Sequence, residues 1–167
     1  MTTSKHIILN HEEINHKIKR IAYQIYETNV YEKEVILAGI ANNGYILAEK
    51  LKDALSEISP ITPVLCKVTI DKKNPRTPIN TSLKVEDYKD KSIVLIDDVL
   101  SSGTTLIYGV KFFLDVPLKQ FKTAVLVNRN HKKYPVKADF KGISLSTSLN
   151  EHVNVNLDGE TFEAYLG

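Results

Sequence analysis

Residues 92–108 read SIVLIDDVLSSGTTLIY. Ile93, Val94, Leu95 and Ile96 form an unbroken apolar run, mostly β-branched, of the kind that fills a strand buried on both faces. Asp97 and Asp98 stand where that strand is expected to end, and Ser101, Ser102, Gly103, Thr104 and Thr105 follow before a segment able to form a helix. A hydroxyl-rich turn with a glycine, set between a strand and a helix N-terminus, suits a phosphate. Several backbone N–H groups converge there, the helix dipole favours negative charge, and hydroxyls add donors. The acid pair asks for something else: sugar hydroxyls that donate to it, or a divalent cation. Phosphate at one end with a diol or metal beside it describes a ribose 5-phosphate. An acid pair of the receiver-domain kind would follow a first strand, whereas this one lies past mid-chain.

The remaining composition sets bounds. A chain of 167 residues suits one domain, 1–167, with a sizeable core, and 43% hydrophobic with 25% charged residues is an ordinary globular balance. A net charge of +2 creates no bulk demand for nucleic acid, although a local basic patch stays open. Cys66 is the only cysteine, so no intrachain disulfide can form, and its apolar strand setting favours a packed thiol over a nucleophile. No apolar run approaches membrane-spanning length and no signal peptide is visible, so a cytoplasmic location is expected.

Working outward, Asn10 to about Asn29 is expected to be an amphipathic helix. Asn10 and Glu13 have capping-box spacing, and Ile14, Ile18, Ile21, Ala22 and Ile25 share one face. Lys17, Lys19 and Arg20 are most simply solvated, with RNA contact as the alternative. Val35–Ile40 is a second buried-type strand, leading through Ala41, Asn42, Asn43 and Gly44 into a helix bearing Ile46, Leu47, Leu51 and Leu55. This is either a plain strand-to-helix connection or a second anion-facing turn. Pro60 and Pro63 bracket the entry to a strand at Val64–Ile70. Residues 71–91 then show no apolar period and read as a lid, a hairpin flap or disorder. After the central motif, a helix to about Asp115 turns Leu106, Val110, Phe113 and Leu114 inward. Phe121–Val127 is a further strand, and His152–Leu157 alternates as a short strand does.

IVLIDDVLSSGTT resembles the phosphoribosyl-pyrophosphate (PRPP) signature of type I phosphoribosyltransferases, with apolar run, acid pair and phosphate loop all in order. Within that family the likeness extends to the bifunctional pyrimidine-operon attenuator and uracil phosphoribosyltransferase group. GIANNG, VLVNRNHKKYPVKADFKG and STSLNEHVNVNL have counterparts there, while residues 71–91 match less well. The resemblance implies an α/β fold: a mostly parallel twisted sheet flanked by helices, a small hood from the chain ends, and a flexible loop over the active site. It implies displacement of pyrophosphate from C1 of PRPP by a ring nitrogen of a nucleobase, uracil first and a purine second, with Mg²⁺ as cofactor. Asp97 and Asp98 would be the catalytic pair and would support the metal, directly or through water. Ser101, Ser102, Gly103, Thr104 and Thr105 would hold the 5-phosphate. Ala41, Asn42, Asn43 and Gly44 would meet the pyrophosphate, through a strained or cis peptide at Ala41-Asn42. Phe140, Lys141 and Arg129 would serve the base, Phe140 by stacking and Lys141 through its main chain, with a core role as the other reading of Phe140. A homodimer or higher homo-oligomer is the family's habit.

The sequence also departs from the family pattern. Ser101 stands where many purine enzymes carry an acid, Asn43 and Thr104 stand where the attenuator group carries Arg, and Asn128 replaces a base-contacting Lys or Asp. The two lost arginines remove bidentate cations from the phosphate loops. Arg129 and Lys72 are candidates to supply the charge, with a solvent-exposed role as the alternative for each. Two functions follow: an active phosphoribosyltransferase, or a catalytically weak regulator that senses a nucleotide or PRPP and binds RNA. A fold member acting through protein–protein contact is the third.

Overall fold

The computed structural model describes residues 5–129, 131–146 and 151–167. Asn130 and residues 147–150, which belong to the quoted motifs, lie outside the described residues. The elements run β1 (His6–Leu9), α1 (His11–Thr28), β2 (Glu34–Ile40), α2 (Asn43–Ile58), β3 (Thr62–Thr69), β4 (Asn80–Thr81), α3 (Val85–Tyr88), β5 (Ser92–Leu100), α4 (Thr104–Phe113), β6 (Gln120–Arg129), β7 (Phe140–Leu145), β8 (Val153–Asn156) and β9 (Glu163–Leu166).

Alternation along the strands builds the molecule. A strand sends successive side chains to opposite faces, so a continuous apolar run feeds two cores at once. Ile36, Ala38, Ile93 and Leu95 face one way, packing with Cys66, Val68, Leu106 and Phe113. Leu37, Val94, Ile96 and Leu126 face the other, against Ile14, Ile18 and Ile21 of α1 and Leu47 and Leu51 of α2. The six-stranded sheet that results has the order β4-β3-β2-β5-β6-β7 and is parallel except for β4, which runs antiparallel to β3. A separate antiparallel sheet, β1-β9-β8, joins the two chain ends and contributes Val155 and Ala164 to the α1/α2 core, with Leu157 and Phe162 from the β8–β9 connection, as expected of a hood.

Local signals explain the element ends. Glu13 N–H donates to Asn10 Oδ1 at 2.9 Å and Asn10 N–H donates to Glu13 Oε1 at 3.1 Å, closing the capping box of α1. The five apolar residues expected on the inner face of α1 are all buried.

The expected end of β5, the inward face of Leu114 and the solvated reading of Arg20 are corrected. β5 does not stop before the acid pair but continues to Leu100, because β6 pairs with it through Leu100↔Asn128. Helix α4 ends at Phe113, so Leu114 turns out to solvent at 61% exposure instead of facing the core. Arg20 is not simply solvated: its guanidinium donates to the carbonyls of Lys141 and Gly142 and ties α1 to β7, the sheet's edge strand. Residues 71–91 are no bare connector. β4 pairs with β3, and Ile79, Leu83 and Tyr88 pack against the second core, so the segment is a hairpin flap with a fixed base. Cys66 is buried, and burial pushes its thiol pKa up, consistent with a packed, unreactive side chain.

Candidate active site at the carboxyl edge of the sheet

Parallel strands place their carboxyl ends together, and the connections after β2 and β5 meet there. Helix α2 comes unusually close to β5. A Cβ added at Gly44 would lie 2.6 Å from Ile96 O and 3.0 Å from Asp97 Cα, so only glycine permits the first turn of α2 to rest on the strand beside the acids. The Ala41–Asn42 peptide is cis, and Ala41 N–H donates to Val68 O at 2.8 Å, fixing the turn to β3. Among the described residues no side chain caps α2, which leaves its first N–H groups for an external acceptor.

Asp97 is 4% exposed, whereas Asp98 is half-buried. Asp97 Oδ1 accepts the Asp98 N–H at 2.9 Å, and Asp98 Oδ1 accepts the Val99 N–H at 2.9 Å. Asp98 Oδ2 accepts from Asn43 Nδ2 at 3.1 Å, and the same amide donates to Val155 O at 3.0 Å. One side chain therefore links the α2 turn, the acid pair and the hood. Burial holds the Asp97 carboxyl well above the ordinary range, Asp98 beside it pushes further up, and Lys72, 3.8 Å from Oδ1, opposes both.

The turn after β5 forms the anion end. Gly103 has φ 87°, the left-handed region that favours glycine, and an added Cβ would meet Val136 Cγ1 at 2.7 Å. Ser102 Oγ lies 2.9 Å from Thr104 Oγ1 and accepts the Thr104 N–H at 3.2 Å. Ser102 O accepts the N–H groups of Lys133 at 2.7 Å and Tyr134 at 3.1 Å, which clamps the turn from behind. Ser101, Ser102, Thr104, Thr105, Asp97 and Lys72 border a cleft of about 90 Å³. That is below the 300–1,000 Å³ typical of whole-ligand sites, so the cleft suits one phosphate-sized group with the rest of a ligand over its mouth. A larger cleft of about 350 Å³ lies between Arg76 and Lys111, but neither acid lines it.

The expected base residues separate. Arg129 is buried at the end of β6, with Nη1 3.3 Å from Ser101 Oγ and Nη2 donating to Glu151 O at 2.6 Å, so it is not a solvated cation. Phe140 is 7% exposed and packs in the α1/α2 core, which fits its core reading. Lys141 is exposed, and its carbonyl already accepts from Arg20. Asn128, buried at the same strand end as Arg129, donates to Ser144 Oγ at 3.3 Å while its Oδ1 has no partner among the described residues. The bridging role of Asn43 is invisible in sequence, because its partners lie 55 and 112 positions away.

Mg²⁺ fits this donor set in one way. No group of three or more His, Cys, Asp or Glu side chains able to hold a metal exists among the described residues. Two hard carboxylates suit an ion that is held mainly by ligand phosphates and water.

Residues 4–159 match the family profile described as phosphoribosyl transferase domain. The bifunctional protein PyrR of Pediococcus pentosaceus is 34% identical over 83% of this chain and 84% of its own length. The bifunctional protein PyrR of Bacillus subtilis is 32% identical over 92% of this chain and 91% of its own. Among solved structures, the hypoxanthine phosphoribosyltransferase of Trypanosoma cruzi superposes with a TM-score of 0.81 at 17% identity, covering 98% of this chain and 96% of that one. A hypoxanthine-guanine phosphoribosyltransferase of Bacillus anthracis gives 0.73 at 15%, covering 90% and 86%. At such identities the structural likeness concerns the fold.

Proposed function

The chain belongs to the phosphoribosyl transferase family of PRPP-dependent glycosyltransferases, and we propose that it transfers the 5-phosphoribosyl group of PRPP to a nucleobase, uracil before a purine, releasing pyrophosphate. The observation that carries this reading is the run of an acid pair, buried at Asp97 and half-buried at Asp98, into a glycine turn that shares one phosphate-sized cleft with Asp97. The turn 101–105 binds the 5-phosphate through its N–H and hydroxyl donors. Asp97 and Asp98 accept from the ribose hydroxyls and hold the ring against the sheet edge. Ala41, Asn42, Asn43 and Gly44 face the pyrophosphate with the uncapped start of α2. Asp97 and Asp98 are the residues that would hold Mg²⁺, which would supply charge neutralisation for the leaving pyrophosphate. Arg129 and Asn128, at the carboxyl end of β6, are the base-side residues favoured by position, in place of Phe140 and Lys141.

A second reading, a weak catalyst that senses a nucleotide and binds RNA, is favoured by one observation: Asn43 is spent on Asp98 and Val155 and brings no charge to the pyrophosphate. Assembly as a homodimer or higher homo-oligomer and a cytoplasmic location belong to the main proposal. No helix among the described residues is long and apolar enough to cross a membrane. The test is incubation with PRPP and Mg²⁺ against uracil, hypoxanthine, guanine, xanthine, adenine and orotate, following pyrophosphate. Base-dependent release with uracil foremost is expected. Silence across the panel, with salt-dependent RNA binding instead, would replace the first reading with the second.

A further inference from the structure

The hairpin flap sends one side chain into the phosphate cleft. Lys72 lines it together with Asp97 and the turn after β5, and it is the one cation among the lining residues. Its ammonium nitrogen stands 3.8 Å from Asp97 Oδ1, beyond hydrogen-bond range, so the contact is Coulombic. The two partners differ in freedom. The Asp97 side chain is 5% exposed and fixed in a central strand, whereas that of Lys72 is 48% exposed. Lys72 follows directly on Asp71, whose carboxylate accepts the N–H groups of Lys73 and Asn74 and so turns the flap at its root. The neighbouring residues Asn43 and Thr104 are neutral and already hydrogen-bonded to Asp98, Val155 and Ser102. The cleft thus has many donors, one fixed anion and one movable positive charge.

We propose that Lys72 is an exchangeable cation of the active site: it neutralises Asp97 in the ligand-free chain and moves to the phosphate group of the entering substrate, releasing the Asp97 carboxylate to the sugar hydroxyls. The proposal rests on the phosphoribosyl reading of the site. A loose ion pair with a half-exposed partner is weak and cheaply broken. A phosphate group carries up to two negative charges and several acceptor oxygens, and so competes well against a single carboxylate. An ammonium on a flexible four-carbon stem makes such an exchange without a fixed approach direction. The exchange also couples occupancy of the cleft to the position of the flap, since the residue that leaves Asp97 is rooted in the flap.

Calorimetric titration of the full chain with PRPP·Mg²⁺ at low and high salt, for the wild type, K72M and K72R, tests this. K72M keeps the length of the stem and removes the charge. Its affinity is expected to fall at least about tenfold, with a weaker salt dependence, and K72R to recover to within about threefold of wild type. Affinity in K72M within about twofold of wild type, an unchanged salt dependence, or a loss that K72R does not restore would overturn the inference while leaving the site reading intact. A folded wild type that binds no PRPP overturns the site reading, and the inference with it.

Discussion

Asp97 and Asp98 are adjacent in sequence but differ in chemistry, because the strand turns one inward and leaves the other at the rim. Asp98→Asn keeps the shape and removes a charge from the rim, where the ligand's hydroxyls and Mg²⁺ are proposed to sit. A roughly tenfold weaker PRPP·Mg²⁺ affinity by calorimetry, with an unchanged circular dichroism spectrum, is expected. Unaltered affinity would remove Asp98 from the site. Asp97 answers to pH. Burial, reinforced by Asp98 and opposed by Lys72, raises its folded-state pKa above the ordinary 3.8. The folded chain therefore binds more protons than the unfolded chain between 3.8 and the raised value, and its stability contribution is lost as pH rises through that window. Asp97→Asn is expected to flatten this fall and to raise the melting temperature of the ligand-free chain at neutral pH relative to wild type, while abolishing PRPP binding. Parallel stability-versus-pH curves for the two proteins would show that the buried carboxyl is not the source.

At the scale of elements, the approach of α2 to β5 sets the geometry of the site. In Gly44→Ala the new methyl group meets main-chain atoms of Ile96 and Asp97, which cannot step aside as a side-chain tip could. A stability loss of about 1–3 kcal/mol in urea denaturation is expected. Weakened PRPP binding in the surviving folded fraction should accompany it, since Asn43 is carried away from Asp98. A change below about 0.5 kcal/mol would mean that the helix can slide without cost. Much of this level was legible beforehand. The capping box at Asn10 and Glu13, the double-faced apolar runs of β2 and β5, and the polar turns after them all act through near neighbours, which a sequence displays. What escaped was decided at long range. β7, reading FKGISL, carries no clean alternation and is an edge strand defined by β6 on one side and by Arg20 of α1 on the other. β1 and β9 are four residues each, and β1 exists only by pairing with β9 across the whole chain. Phe140 was ambiguous for the same reason: its motif places it after a turn, but only the α1 packing decides which way the ring faces.

Across the molecule, the two cores divide the labour. One face of the sheet, with α1, α2 and the hood, fixes Asn43 against Asp98; the other, with α4 and the flap base, fixes the turn 101–105 and roots Lys72. The candidate site lies where these halves meet, at the carboxyl ends of the parallel strands. With Asn43 and Thr104 uncharged, Lys72 is the one cation among the residues that border the cleft, and the Oδ1 acceptor of Asn128 has no partner among the described residues. The decisive measurement is a crystal structure of the protein with PRPP and Mg²⁺. The 5-phosphate is expected in the cleft formed by residues 101–105, with the ribose hydroxyls on Asp97 and Asp98. A cleft that stays closed while the ligand binds elsewhere, or does not bind at all, would contradict the assignment of this edge as the active site.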